Sequence, residues 1–384
     1  MAKNNKITMS NKKSAMGAAE KSPKLGVFQI AEGMTSEQMM PVFFNSKALR
    51  EPALRLYQLN TRGLRYYYYF DKDGNPVFMP SVTTVLRHTM PENVFLTEWK
   101  IGMGKDKADA YTAERAAYGT FYHSCIERLI INNGYNLDEL KTELAKYIER
   151  EQLPSSFINY ADSLKRDLLA FAQWMYEYDI VPYAVEISLF SEQYGFAGMI
   201  DLVANIRKYP RTEEKKVRDK LAEDSAKAAG DDKKLAKLGE KLAEIEQKFT
   251  ERENAIIDFK SGKKGFYEEY EIQLGMYRML WEKWFPEIQI DSLYNFAPKD
   301  WRSKPTFAFK NQTDAPSLAK IPFLLGLYAL VDDGEKNITL VGGNIDMQAI
   351  NPTESCIKVI SMAELVKEKE ATPQEDDNPL FEEE

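Results

Sequence analysis

The chain has few of the side chains that favour soft metals. Its 384 residues hold two cysteines, Cys125 and Cys356, and two histidines, His88 and His123. Two thiols are too few for a disulfide framework, or for an iron–sulfur cluster held wholly by one chain, which needs about four. Long apolar runs are missing too, so no segment reads as membrane-spanning and none as a signal peptide. These absences lead to the expectation of a soluble protein in a reducing cytoplasm. Positive charge is not in excess. The 51 Lys and Arg against 59 Asp and Glu give a net charge of -8, which argues against a protein that coats nucleic acid indiscriminately but leaves room for a local basic groove.

What is present divides the chain into three. Residues 1–45 read as a basic, disordered arm in which Lys3, Lys6, Lys12 and Lys13 lack any accompanying apolar periodicity. Residues 46–365 are predicted to form one α/β domain, a central mixed β-sheet flanked by helices. Within it, residues 207–253 shift to Lys, Glu, Ala and Leu, with Leu235, Leu238, Leu242, Ile245 and Phe249 at three-four spacing around a Gly230-Asp231-Asp232 break. That stretch reads as an inserted, charged helical hairpin. Residues 366–384 read as an acidic disordered tail, whose Phe381 among acids is the kind of segment that docks into a basic pocket on a protein partner.

Inside the domain, Leu64 to Pro80 is an aromatic strand, an Asp-Gly turn and a second strand, with Ser81 as the cap of a following helix. Tyr66 to Tyr69 place rings on both faces of their strand, as hairpins usually do for packing, and one face could instead stack bases. Helices are expected over Asp109–Asn132, Leu140–Glu149, Phe157–Tyr178, Gly265–Trp284 and Ser317–Val331. Strands are expected over Tyr183–Phe190, Phe196–Ala204, Asp291–Pro298, Thr306–Phe309 and Ile338–Ile345.

The chemistry concentrates in Ala255-Ile256-Ile257-Asp258-Phe259-Lys260-Ser261-Gly262. Apolar residues run into an acid and a lysine, as in a buried strand whose end reaches a cleft. Strand alternation puts Asp258 and Lys260 on one face and Phe259 on the other. Such an ion pair is costly to bury without a use. Asp201 likewise interrupts an apolar strand, and Gly198 before it leaves space for a close approach. On the first long helix Gly119 and His123 share a face, continued by Glu127.

In order, Gly119-x-x-x-His123, Glu186, Gly198-x-x-Asp201, Asp258-x-Lys260 and Gln273-x-x-x-Tyr277 resemble the PD-(D/E)XK phosphodiesterase superfamily, in particular its RecB-like exonuclease branch. The resemblance spans roughly residues 66–309. Pro80-Ser81-Val82-Thr83-Thr84 and Tyr294-Asn295-Phe296-Ala297-Pro298-Lys299 resemble flanking elements of its phage and mitochondrial-type members. The resemblance implies that His123, Asp201 and Asp258 are metal ligands, that the Phe259 carbonyl is a backbone ligand, and that Lys260 stands near the attacking water. Glu186 matches an acid often present in the site. Gln273 and Tyr277 are implied as DNA contacts or braces, with Ser261 and Lys263 as further DNA contacts. An iron–sulfur cluster is not implied, because the flanking cysteines are missing, and the inserted hairpin departs from the family pattern.

Phosphodiester hydrolysis needs a hard cation, and carboxylates with a carbonyl oxygen suit Mg²⁺ or Mn²⁺, the imidazole tilting the balance toward Mn²⁺. The expectation is a metal-dependent DNA exonuclease acting at single-stranded ends, in phage or bacterial DNA replication, recombination, repair or degradation. A structure-selective endonuclease of the same fold is the enzymatic alternative. A nucleic-acid-binding module without catalysis is the alternative of a different class.

Overall fold

The computed structural model describes residues 48–52, 56–61, 63–91, 94–132, 134–262, 265–330 and 357–361. The expected arm at 1–45, Lys263, the strand at Ile338–Ile345 and the tail at 366–384 lie outside them. The fold is α/β, and its centre is a mixed five-stranded sheet. The strands are β5 (Val181–Ser191), β6 (Phe196–Arg207), β7 (Arg252–Phe259), β8 (Ser292–Pro298) and β9 (Phe307–Asn311), and they lie side by side in that order. Only β7 and β8 are parallel; the other neighbours are antiparallel. A parallel pair needs a crossover, and here it is α8 (Glu268–Trp284).

Strand alternation gives the sheet two apolar faces, each covered by helices. On one side Ala255, Ile257 and Phe259 of β7 meet α3 (Lys105–Ile131), α4 (Leu140–Arg150) and α5 (Ala161–Tyr178). The predicted stripe Leu164, Leu168, Phe171 and Met175 is fully buried there, and the Phe171 ring stands edge-on to Phe259 at 5.1 Å. On the other side Ile256 meets α8, α1 (Val82–Thr89) and α9 (Ile321–Ala329). Ser81 caps α1 as expected, its hydroxyl accepting from the Thr84 amide. A 3₁₀ turn, Ser155–Tyr160, precedes α5, and another, Pro316–Lys320, precedes α9, so each of these predicted helices divides at its N-terminal end.

A smaller sheet of β2 (Tyr57–Thr61), β3 (Leu64–Phe70) and β4 (Pro76–Pro80) packs against β6 and is joined to it by the Ser81–Ala197 bridge. The base-stacking reading of its tyrosines is corrected. Tyr66, Tyr67, Tyr68 and Tyr69 are all buried, Tyr67 and Tyr69 with Met79 and Ala197, and Tyr66 and Tyr68 with Leu59 and Phe70. Both faces of the strand are covered, which leaves no ring for a base. A two-stranded pair, β1 (Ala48–Pro52) with β10 (Ile357–Ser361), brings distant parts of the chain together.

Between β6 and β7 stand α6 (Arg211–Lys227) and α7 (Asp232–Thr250). Of the apolar stripe on α7, Ile245 and Phe249 are buried against Leu221, while Leu235 and Leu242 farther out are exposed. The remaining helix, α2 (Val94–Met103), runs into α3 and has no buried residue. Among the described residues no helix is long and apolar enough to cross a membrane.

Candidate active site

The site forms where the β6–β7 ladder ends. Its last pair is Leu202–Ile257, and one step on, the Phe259 amide donates to Asp201 Oδ2 at 2.6 Å instead of to a strand. A side chain in place of a backbone partner pins both residues where the strands part. On the other flank, Val185 pairs with Leu202 and Ile187 with Ile200, which leaves Glu186 directly across from Asp201. Glu186 has a φ of +48°, a left-handed conformation disfavoured for a residue with a side chain. Backbone strain thus accompanies the placing of one carboxylate against another.

His123 reaches this pair from α3. Its Nδ1 lies 3.1 Å from Glu186 Oε1 and 3.7 Å from Asp201 Oδ1. One ligand atom from each of His123, Glu186 and Asp201 lies within 4.8 Å of the others. Ligand distances of about 2.0–2.6 Å around a divalent ion require donors this close. The set of one imidazole and two carboxylates therefore fits such an ion in both chemistry and spacing. Glu186, expected as a further acid of the site, belongs to this group with the expected ligands His123 and Asp201; Asp258 is not among the three.

Asp258 is held otherwise. Lys260 Nζ lies 3.0 Å from its Oδ1 and 2.8 Å from its Oδ2, and Asn295 Nδ2 donates to Oδ2 at 2.8 Å. Asn295 is in turn held by Gln312, whose Nε2 donates to Asn295 Oδ1 at 3.1 Å. This relay of buried amides, reached through β8 and the end of β9, escaped the sequence reading. Asn295 had stood there only as part of a flanking phrase, and Gln312 carried no signal.

Lys260 is anchored on three sides. Besides Asp258, it donates to Gln273 Oε1 at 3.0 Å and lies 4.2 Å from the centre of the Tyr270 ring. Gln273 Nε2 donates to the Tyr277 hydroxyl at 2.6 Å. Gln273 and Tyr277 are 7% and 5% exposed, so as placed here they brace Lys260 and offer no open face to DNA. Gly198 admits this brace, because a Cβ there would lie 2.8 Å from Tyr277 Cε1. Gly119 does the same for α3, where a Cβ would lie 3.3 Å from Ser261 Oγ. Ser261 is half-buried at the strand end, and Lys263 is not among the described residues.

The electrostatics follow from burial and crowding. Burial raises the Asp201 carboxyl to about 6, with Glu186 adding to the rise against the opposing pull of His123 and Lys260. Burial also lifts Asp258 to about 6, Lys260 working against it and Asp201 with it. For His123, burial opposes the charge, yet Asp201 and Glu186 outweigh it and raise the imidazole to about 9. Lys260 is raised likewise, burial being overcome by Asp258 and Asp201, so it is an ammonium and not a base at neutral pH. Clustered acids share too little positive charge, which a divalent ion relieves.

Comparison of the chain with models of known protein families finds no match, and comparison with curated proteins finds none.

Proposed function

We propose that the protein is a divalent-metal-dependent nuclease of the PD-(D/E)XK type that hydrolyses DNA from single-stranded ends. The observation that carries this reading is the meeting, at one sheet end, of His123, Glu186 and Asp201 with the Asp258–Lys260 pair. In this reading His123, Glu186 and Asp201 would hold Mg²⁺ or Mn²⁺, with Asp258 and the Phe259 carbonyl as the further candidates for donors. The ion would supply charge neutralisation at the phosphate and a lower barrier to deprotonating the attacking water. Lys260, fixed as an ammonium by Asp258 and Gln273, keeps one N–H free to donate to the attacking oxygen, and its charge favours the negative charge building on the phosphate. Water adds to phosphorus, the bond to the departing sugar oxygen breaks, and the water proton ends on that oxygen or in solvent. A core that had lost its chemistry would have no need of Lys260 between Asp258 and Gln273, which favours an enzyme over a mere binder.

The test is digestion of end-labelled linear single- and double-stranded DNA and of circular single-stranded DNA, with Mg²⁺, Mn²⁺ or chelator, beside Asp258→Ala. Expected is loss of linear single strands that stops with chelator and in the variant. Cutting of circles would assign endonuclease action instead. Absence of metal-dependent cleavage on every substrate would overturn the nuclease reading.

A further inference from the structure

Arg115 lies on α3 two turns before His123, and the four-residue steps from Arg115 to Gly119 to His123 set the three along one ridge. It is half-buried. Its Nη2 donates to the Ser261 carbonyl at 3.2 Å, and its guanidinium carbon lies 4.5 Å from the Tyr118 ring centre and 6.0 Å from that of Tyr160. The Tyr118 ring is itself immobilised, being buried with its hydroxyl donating to Asp167 at 2.5 Å. The guanidinium is therefore held in a fixed plane.

What it lacks is a carboxylate at ion-pair distance, Glu114 and Asp167 meeting it only through the Tyr160 and Tyr118 phenols. Among the described residues no carboxylate forms an ion pair with Arg115; its partners are a neutral carbonyl and phenol rings. A guanidinium carries five N–H donors in a rigid fork suited to two oxygens of one anion. Other arginines of the chain are satisfied differently: Arg128 pairs with Glu143, Arg207 with Glu214, and Arg252 with Asp179. Ser261, to which Arg115 is tied, directly follows Lys260. A preorganised cation with no direct carboxylate partner among the described residues thus stands beside the strand end that carries the candidate chemistry.

We infer that Arg115 binds a phosphate of the nucleic-acid strand next to the one being cut, seated between α3 and the Ser261 end of β7. The inference rests on the nuclease reading and adds a binding residue to it. Arg115 takes no part in bond breaking. It fixes the register of the strand, so its loss weakens binding more than turnover. The competing role is a staple that only holds Ser261 against α3.

The experiment measures binding of a fluorescent single-stranded oligonucleotide across a salt series, together with KM and kcat, for the whole chain and for Arg115→Gln and Arg115→Lys. Expected for Arg115→Gln is a rise of about tenfold in Kd and KM, and a salt dependence shallower by about one ion. Arg115→Lys should keep the salt dependence while losing part of the affinity, because the point charge remains and the fork does not. Unchanged Kd and slope in Arg115→Gln, in a chain that cleaves, overturns the inference and leaves the nuclease reading standing. A fall in kcat with an unaltered salt slope assigns the staple role and also overturns it. If the unsubstituted chain neither binds nor cleaves, the nuclease reading fails and takes the inference with it.

Discussion

At the scale of single residues, the sharpest consequence concerns Lys260, whose ammonium is fixed by Asp258 and Gln273 yet does not belong to the His123–Glu186–Asp201 set. Replacing it by Met should abolish cleavage while Mn²⁺ binding, followed by calorimetry, stays nearly intact; loss of metal binding would refute the assignment. Asn295→Leu removes the amide that holds Asp258 Oδ2 and leaves Gln312 without its acceptor. Outer-shell partners of this kind typically cost about 10- to 100-fold in activity or metal affinity, readable in kcat at saturating metal. Gly198→Ala forces a methyl to 2.8 Å from the Tyr277 ring, which Gln273 keeps from swinging away. Such overpacking costs about 1–3 kcal/mol, measurable by urea unfolding, and should also lower turnover by shifting Lys260. These residues differ in how plainly the sequence announces them. Asp201, Asp258 and Lys260 stand out because charges inside apolar strands violate the pattern around them. Glu186 does not, since its place opposite Asp201 depends on register and on a left-handed backbone, neither of which an alternating strand reveals. Arg115 is hidden for the opposite reason, as one charge among many on a helix whose partner, Ser261, is far along the chain.

At the scale of elements, apolar patterning located β3 to β9 and the helices that bury a stripe, and a change of composition located α6 and α7 as an insertion, whereas the short β1, β2 and β10 and the helix α2, which buries nothing, gave no pattern to read. Their placement explains why the sheet tolerates them. β6 and β7 remain paired up to Arg207–Arg252, and the Lys208 amide donates to the Glu251 carbonyl at 3.0 Å, so the hairpin leaves and re-enters at adjacent points. Arg207 closes the base by donating to the Phe249 carbonyl at 2.8 Å. Excising residues 215–244 and joining the stubs by a short polar turn keeps Thr212 on Glu177 but removes Leu221, so Ile245, which that loss uncovers, is replaced by a polar residue in the same variant. Cleavage should be unchanged within error, and a large loss would show that the hairpin reaches the substrate. Sheet order was less legible than element type. Nothing local indicates that β8 inserts beside β7 or that β1 pairs with β10, because such pairings depend on contacts across the whole chain.

For the molecule as a whole, the cluster couples protonation to folding. Asp201 and Asp258, raised from 3.8 to about 6, and His123, raised from 6.5 to about 9, all hold protons more tightly in the folded state. Groups raised in this way stabilise fully below their unfolded values and lose that contribution as pH rises through the folded ones. Metal-free protein should therefore lose thermal stability from this cluster as pH climbs through 6 and again through 9. Added Mn²⁺ should recover more of it at the alkaline end, where protons no longer compete. Melting curves across this range with chelator or Mn²⁺ check both statements; a chelated wild type no more pH-sensitive than Asp201→Asn in that window would contradict them. The amide relay from Gln312 through Asn295 to Asp258 also bears on the protein's birth. Synthesis runs from the N-terminus, and β8 and Gln312 leave the ribosome well after His123, Asp201 and Asp258. A nascent polypeptide lacking them holds His123, Glu186, Asp201 and the Lys260 partner of Asp258 but no amide on Asp258 Oδ2, so the proposed activity would await that last support.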